Sequence, residues 1–165
     1  MKLLIVDDEP LIQKRLEQLI TSSSLGIHSV MSTSDPARAM ELLKECPPQL
    51  LLTDIRMPRI SGVDLARYIH ENQLDTLVIF ITGYSDFEYA KSGIAYQVFD
   101  YLLKPIDEEQ ALLAIRKAMH TILEKQKHDE IHSMFQNYFS THFSSARRQF
   151  IERLLFHPLT QTKEQ

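Results

Sequence analysis

Four short stretches of this chain, Leu3–Val6, Leu50–Leu52, Leu77–Ile81 and Val98–Leu103, have the composition of strands buried on both faces. Such strands need helices above and below them, which is the situation of a parallel sheet. The intervening segments supply the helices. Ile12, Leu16, Leu19 and Ile20, then Leu65, Ala66 and Ile69, then Phe87, Ala90 and Ile94 recur at helical spacing. Glu9-Pro10 and Asp35-Pro36 place proline at first helical positions, where its missing N–H costs nothing, and Asp35 is a good N-cap. Residues 28–32, His28-Ser29-Val30-Met31-Ser32, form a weaker, more polar run that suits a sheet edge. Five strands alternating with five helices predict an α/β fold: a doubly wound five-stranded parallel sheet with right-handed crossovers.

With 165 residues, 44% of them hydrophobic and 24% charged, the chain has room for one ordinary globular domain and an appendage. The single cysteine, Cys46, excludes an internal disulfide, and the apolar run after Met1 ends at Asp7, too early for a signal peptide. No run of apolar residues reaches membrane-spanning length, so the expectation is a cytoplasmic protein without membrane contact. Residues 1–119 hold 12 Lys/Arg against 17 Asp/Glu, an acidic balance that argues against nucleic-acid binding by this part alone. Past Asp107, Leu112, Ile115, Met119 and Ile122 form one helical seam that continues into the polar stretch Glu124–Glu130 without Gly or Pro. The last helix is therefore expected to overrun the domain, giving a domain over 1–123 and an extended helical linker over 124–165. Ile131, Met134, Phe135 and Tyr138 resume the apolar pattern in a shifted phase, with too few heptads to define a coiled coil.

Ligands of doubly wound sheets bind beyond the carboxyl ends of the strands. Here those ends carry Asp7-Asp8, Asp54, Thr82 and Lys104. Two like charges ~4 Å apart repel by ~4 kcal/mol at an effective dielectric of ~20, so the carboxylates call for a cation. Oxygen ligands favour Mg²⁺. An aspartate beside Mg²⁺ can attack phosphorus to form an acyl phosphate, which makes Asp54 the candidate nucleophile. Lys104 would neutralise the phosphoryl oxygens and Thr82 would donate a hydrogen bond to one of them. Taken singly, each of these residues is an ordinary surface or strand residue. The set is what carries the chemistry.

Four motifs, Ile5-Val6-Asp7-Asp8-Glu9-Pro10, Asp54-Ile55-Arg56-Met57-Pro58 with Ser61-Gly62, Ile81-Thr82-Gly83-Tyr84, and Asp100-Tyr101-Leu102-Leu103-Lys104-Pro105, resemble those of bacterial response-regulator receiver domains over residues 1–123. The resemblance implies a flavodoxin-like strand order 2-1-3-4-5. It also implies a phosphoryl group transferred to Asp54 from a phosphohistidine on a sensor histidine kinase. Mg²⁺ would be held directly by Asp8 and Asp54, through water by Asp7, and by the backbone carbonyl of Arg56. Thr82 and Tyr101 would act as the switch, and the last two helices with the fifth strand between them as the responding face. The Lys104-Pro105 bond is expected to be cis. Such a protein catalyses only its own phosphorylation and dephosphorylation.

The segment Gly83-Tyr84-Ser85-Asp86-Phe87-Glu88-Tyr89-Ala90 resembles the subgroup whose regulators end in AraC-type helix-turn-helix domains. These 165 residues contain no such domain, so the expectation is a chain cut after receiver and linker, with transcriptional control and DNA contact residing in a C-terminal domain beyond it. A homodimer through the responding face or the linker helix is a further expectation. Where many members have glycine before the fifth strand, this chain has Tyr96-Gln97-Val98, and a left-handed Gln97 would carry a cost. The alternative function is a receiver-like module that pairs through its long helix independently of phosphorylation. A flavin protein would share the strand order, but the carboxylate rim would repel a flavin phosphate.

Overall fold

A computed structural model of the chain describes residues 1–83 and 95–156, with side chains described over 1–83 and 95–138. Its elements are β1 (Lys2–Val6), α1 (Pro10–Ser22), β2 (Ser29–Thr33), α2 (Pro36–Glu45), β3 (Leu50–Asp54), α3 (Gly62–Glu71), β4 (Leu77–Thr82), β5 (Asp100–Leu103) and α4 (Glu108–Phe156). The helix expected around Phe87, Ala90 and Ile94 lies outside the described residues.

The five strands pair in parallel in the order β2-β1-β3-β4-β5, the flavodoxin-like arrangement. Every residue of β3 is buried, whereas all five of β2 are half-buried, as the polar run at that edge predicts. β5 begins at Asp100, two residues after the apolar run starts, because Gln97 is left-handed at φ 55° and the chain is still emerging from that turn. Pairing nonetheless begins early, since the Phe99 N–H donates to the Val78 carbonyl at 2.8 Å.

Alternation along the strands divides the core in two. Leu3, Ile5, Leu50, Leu52, Ile79, Ile81 and Leu102 pack beside Leu16 and Ile20 of α1 and Ala111, Ala114, Ile115 and Ala118 of α4. Leu4, Val6, Leu51, Val78 and Phe80 pack on the opposite side with Ala39 and Leu43 of α2 and Leu65, Ala66 and Ile69 of α3. Each large side chain removed from water in this way contributes about 1.5–3 kcal/mol. The small alanines of α4 let that helix lie close to the sheet.

Local chemistry starts the helices where the sequence indicates. Pro10 and Pro36 open α1 and α2, and the Asp35 side chain accepts the Ala37 N–H. At α3, Ser61 and Asp64 form a reciprocal capping box, and these hydrogen bonds to Ser61 hold the Asp64 carboxyl below the ordinary aspartate range.

The chain divides into two compact units, residues 1–122 and 123–165. The second is helical to Phe156, and its Leu123, Ile131, Met134, Phe135 and Tyr138 are all more than half exposed. Among the described residues no helix is long and apolar enough to cross a membrane.

Candidate functional site

Parallel register decides which strand ends meet. β1 and β3 pair Val6 with Thr53, so the next residues, Asp7 and Asp54, stand at the same level of the rim. On the other side of β3, Asp54 pairs with Ile81, and β4 pairs Thr82 with Leu103. Backbone bonds close the rim: the Ile55 N–H donates to the Ile81 carbonyl at 3.2 Å and the Lys104 N–H to the Thr82 carbonyl at 2.8 Å. The strand alternation continues past the ladders. Asp7, Asp54 and Lys104 have the parity of Ile5, Leu52 and Leu102, whereas Thr82 and Tyr101 have the parity of Phe80 on the opposite face.

The first group forms one ionic cluster. The Lys104 Nζ lies 2.9 Å from Asp54 Oδ2, 2.9 Å from Glu9 Oε1 and 3.2 Å from Asp7 Oδ2. Burial works against the ammonium, but hydrogen bonds to Asp54 and Glu9 and the charges of Asp7 and Asp54 outweigh it and hold the Lys104 pKa above the ordinary lysine value. Asp7 is fully buried; its Oδ1 accepts the Glu9 N–H at 2.8 Å. Its Oδ2 sees the ammonium as a neighbouring charge yet takes no hydrogen bond among the described residues. Burial therefore pushes the Asp7 carboxyl pKa up, against the pull of the Glu9 amide and Lys104.

Asp54 is buried, with Oδ1 accepting the Arg56 N–H at 3.3 Å and Oδ2 on Lys104. Its backbone is fixed from two directions. The Thr53 hydroxyl donates to the Asp54 carbonyl at 2.9 Å, and α3 starts so close that a Cβ on Gly62 would sit 2.1 Å from that carbonyl oxygen. Only glycine permits this approach.

Oxygens of Asp7, Glu9 and Asp54 lie within 4.8 Å of one another. Three carboxylates around one ammonium, with a buried oxygen left over, fit a hard divalent cation that prefers oxygen ligands. Asp8 is exposed at the next position and is not among the three clustered carboxylates. Arg56 is likewise exposed, its amide committed to Asp54. Thr82 is buried and its hydroxyl donates to the Gly83 carbonyl at 3.1 Å. Tyr101 is half-buried with its ring edge-on to Phe80, centroids 5.8 Å apart, and burial raises its phenol pKa. The Lys104-Pro105 peptide is cis.

Glu9 is the member of the cluster that sequence reasoning missed. It was visible as the third acid of Asp7-Asp8-Glu9, directly before the proline that opens α1.

A family model for the response regulator receiver domain matches residues 3–116. The chain belongs to this family. As a receiver it is 41% identical over 125 residues to the transcriptional regulatory protein HptR of Staphylococcus aureus, an alignment covering 76% of this chain and 49% of that protein. It is 43% identical over 109 residues to a response regulatory protein of Staphylococcus epidermidis, covering 66% of this chain and 43% of the relative. The receiver thus spans about half the length of the curated relatives it matches. Among solved structures, a two-component transcriptional regulator AraC from Clostridium phytofermentans superposes with a TM-score of 0.70 at 36% identity, covering 76% of this receiver and 98% of that chain. The receiver domain of AraT, a response regulator from Geobacillus stearothermophilus, gives 0.70 at 33% identity, covering 76% and 97%. The receiver is a component of two-component signalling, with transcriptional regulators and AraC-type proteins among its relatives.

Proposed function

We propose that Asp54 accepts a phosphoryl group from a phosphohistidine of a sensor histidine kinase, with Mg²⁺ in the acidic pocket, and that the resulting change controls a transcriptional output in the cytoplasm. The observation that carries this reading is the Asp54 carboxylate. It is buried at the end of the central strand, with one oxygen 2.9 Å from the Lys104 ammonium and the unsatisfied Asp7 oxygen beside it.

In the reaction an Asp54 oxygen attacks phosphorus, the O–P bond forms as the N–P bond to histidine breaks, and the imidazole departs with its electron pair. Oδ1, whose contact with the Arg56 amide is the longer at 3.3 Å, is the oxygen better placed to attack. Lys104 holds the Asp54 carboxylate in place before transfer and neutralises phosphoryl oxygens after it. When bound, Mg²⁺ supplies Lewis-acid stabilisation of those same oxygens. Asp7, Asp8, Glu9, Asp54 and the Arg56 carbonyl are the candidate groups to hold it directly or through water. Thr82 exchanges its bond to the Gly83 carbonyl for one to the phosphoryl group, and Tyr101 follows on the same face of the sheet, altering the surface of β5 and α4.

The test is to treat the chain with acetyl phosphate, or with beryllofluoride, in the presence of MgCl₂ and to map the adduct by mass spectrometry and fluorine NMR. One adduct on Asp54, absent in Asp54→Ala, is expected. No adduct, or one retained in Asp54→Ala, overturns the reading. A second reading, constitutive pairing of two copies, is favoured by the exposed apolar residues Ile131, Met134, Phe135 and Tyr138 on α4. Gel filtration with and without beryllofluoride separates the two, because constitutive pairing leaves the elution volume unchanged by the mimic.

A further inference from the structure

Gln13 takes no part in the chemistry above, yet it is buried, on the side of α1 that carries Leu16 and Ile20 into the core. An apolar side chain would pack there without needing a partner. The amide is used: its Nε2 donates to the backbone carbonyl of Asp7. The Gln13 backbone N–H also donates to the Glu9 carbonyl at 3.3 Å, so one residue holds both ends of the turn Asp7-Asp8-Glu9.

The ladders of β1 with β2 and β3 end at Val6. The Asp7 carbonyl therefore leaves the sheet as a buried acceptor that must find a donor elsewhere. That carbonyl lies in the rigid plane of the Asp7–Asp8 peptide, so fixing its direction fixes the direction in which the chain continues into Asp8 and Glu9. The Glu9 N–H must in turn reach Asp7 Oδ1, the 2.8 Å bond that aims the Asp7 carboxylate and leaves Oδ2 turned into the pocket.

We propose that Gln13 is a positioning residue of the acidic pocket: by clamping the Asp7 carbonyl it presets the peptide plane from which the acidic residues after β1 approach the cation and Asp54. The proposal rests on the reading of this pocket as the cation and phosphoacceptor site, and it adds a residue on α1 that acts through the backbone.

The experiment uses the full chain and four variants. Gln13→Met matches the length without a donor, Gln13→Asn keeps the amide but falls short of the carbonyl, and Gln13→Arg keeps a long donor. Leu43→Ala weakens the core on the opposite face of the sheet. Mg²⁺ affinity is read by calorimetry, phosphorylation by acetyl phosphate, and exchange of the Glu9 amide by NMR in metal-free protein. Gln13→Met and Gln13→Asn are expected to weaken Mg²⁺ binding by roughly tenfold, the scale typical of residues that orient metal ligands. They should slow phosphorylation at low Mg²⁺ but not at saturation, and speed Glu9 amide exchange. Gln13→Arg should restore all three. Leu43→Ala should lower the melting temperature with Mg²⁺ affinity unchanged. Wild-type affinity and amide exchange in Gln13→Met and Gln13→Asn overturn the proposal, as does equal weakening by Leu43→Ala. A wild-type chain that takes up no phosphoryl group overturns the functional reading alone, since Glu9 amide exchange still reports on Gln13.

Discussion

Replacing Asp7 by asparagine should make the metal-free protein more stable at neutral pH. Asp7 is fully buried, and its carboxylate shares the pocket with those of Asp54 and Glu9, whose nearest oxygens lie within 4.8 Å. At an effective dielectric of ~20, each such pair repels by ~3 kcal/mol or somewhat more, and the Lys104 ammonium at 3.2 Å returns ~5 kcal/mol. Glu9 is largely exposed, so its share is screened, and attraction and repulsion come close to cancelling. What remains is the desolvation of a carboxylate with an unsatisfied oxygen, which costs several kcal/mol and is only partly offset by the Glu9 amide. Asparagine keeps the shape and an acceptor while removing the charge. The expected gain is about 1–3 kcal/mol, measured as the midpoint of urea unfolding in EDTA at pH 7.

The pH dependence follows from the raised Asp7 pKa. The folded state holds the proton more tightly than the unfolded chain, so Asp7's contribution is most favourable below the unfolded value of about 4 and is lost as pH rises through the folded value. The gap between Asp7→Asn and wild type should therefore be small at pH 3 and larger at pH 7. MgCl₂ at about ten times its Kd should add about 1.4 kcal/mol to the wild type and much less to the variant. An Asp7→Asn protein less stable than wild type in EDTA at pH 7 would refute the reasoning.

Three further outcomes are expected. Gln97→Gly should raise stability by about 0.5–1 kcal/mol in urea unfolding, because Gln97 is exposed and held at φ 55°, where an L side chain is strained. Gly62→Ala should cost about 1–3 kcal/mol or more and lower the yield of phosphorylated Asp54, since the added Cβ meets the Asp54 backbone rather than a yielding side chain. Ser61→Ala should cost about 1 kcal/mol at pH 7 through the lost cap. Because Asp64 is held below its ordinary pKa by Ser61, that stabilisation is present above the unfolded value and lost as pH falls through the folded one, so paired urea titrations at pH 7 and pH 2.5 should show the Ser61→Ala deficit shrinking.

Much of the site was legible because strands announce their own ends. Apolar runs that stop at Asp54, Thr82 and Lys104 place those residues on one rim without further information, and Pro10 and Pro36 mark the helices that follow. The left-handed Gln97 could also be anticipated, since a turn into β5 without glycine must strain some residue. The division of labour within Asp7-Asp8-Glu9 could not. Which acid turns inward depends on how the sheet parity continues past Val6, and on Pro10 turning the chain so that Glu9 reaches Lys104. Gln13 was opaque for a related reason: in a helical wheel it reads as a polar intrusion into an apolar face, and only the stranded Asp7 carbonyl explains it.

The reach of Lys104 has a mechanical consequence. Its backbone follows β5, its partner Asp54 ends β3, and β4 lies between them. Two strand spacings amount to about 9–10 Å, a gap that the lysine side chain, its hydrogen bond and the Asp54 carboxylate span together, and the same ammonium also meets Asp7 beyond β1. A sideways displacement of the Asp54 oxygens must either draw the Lys104 side chain with it or shift the ammonium toward Asp7 and Glu9. A small movement at the middle strand is in this way passed to a side chain rooted beyond the edge strand.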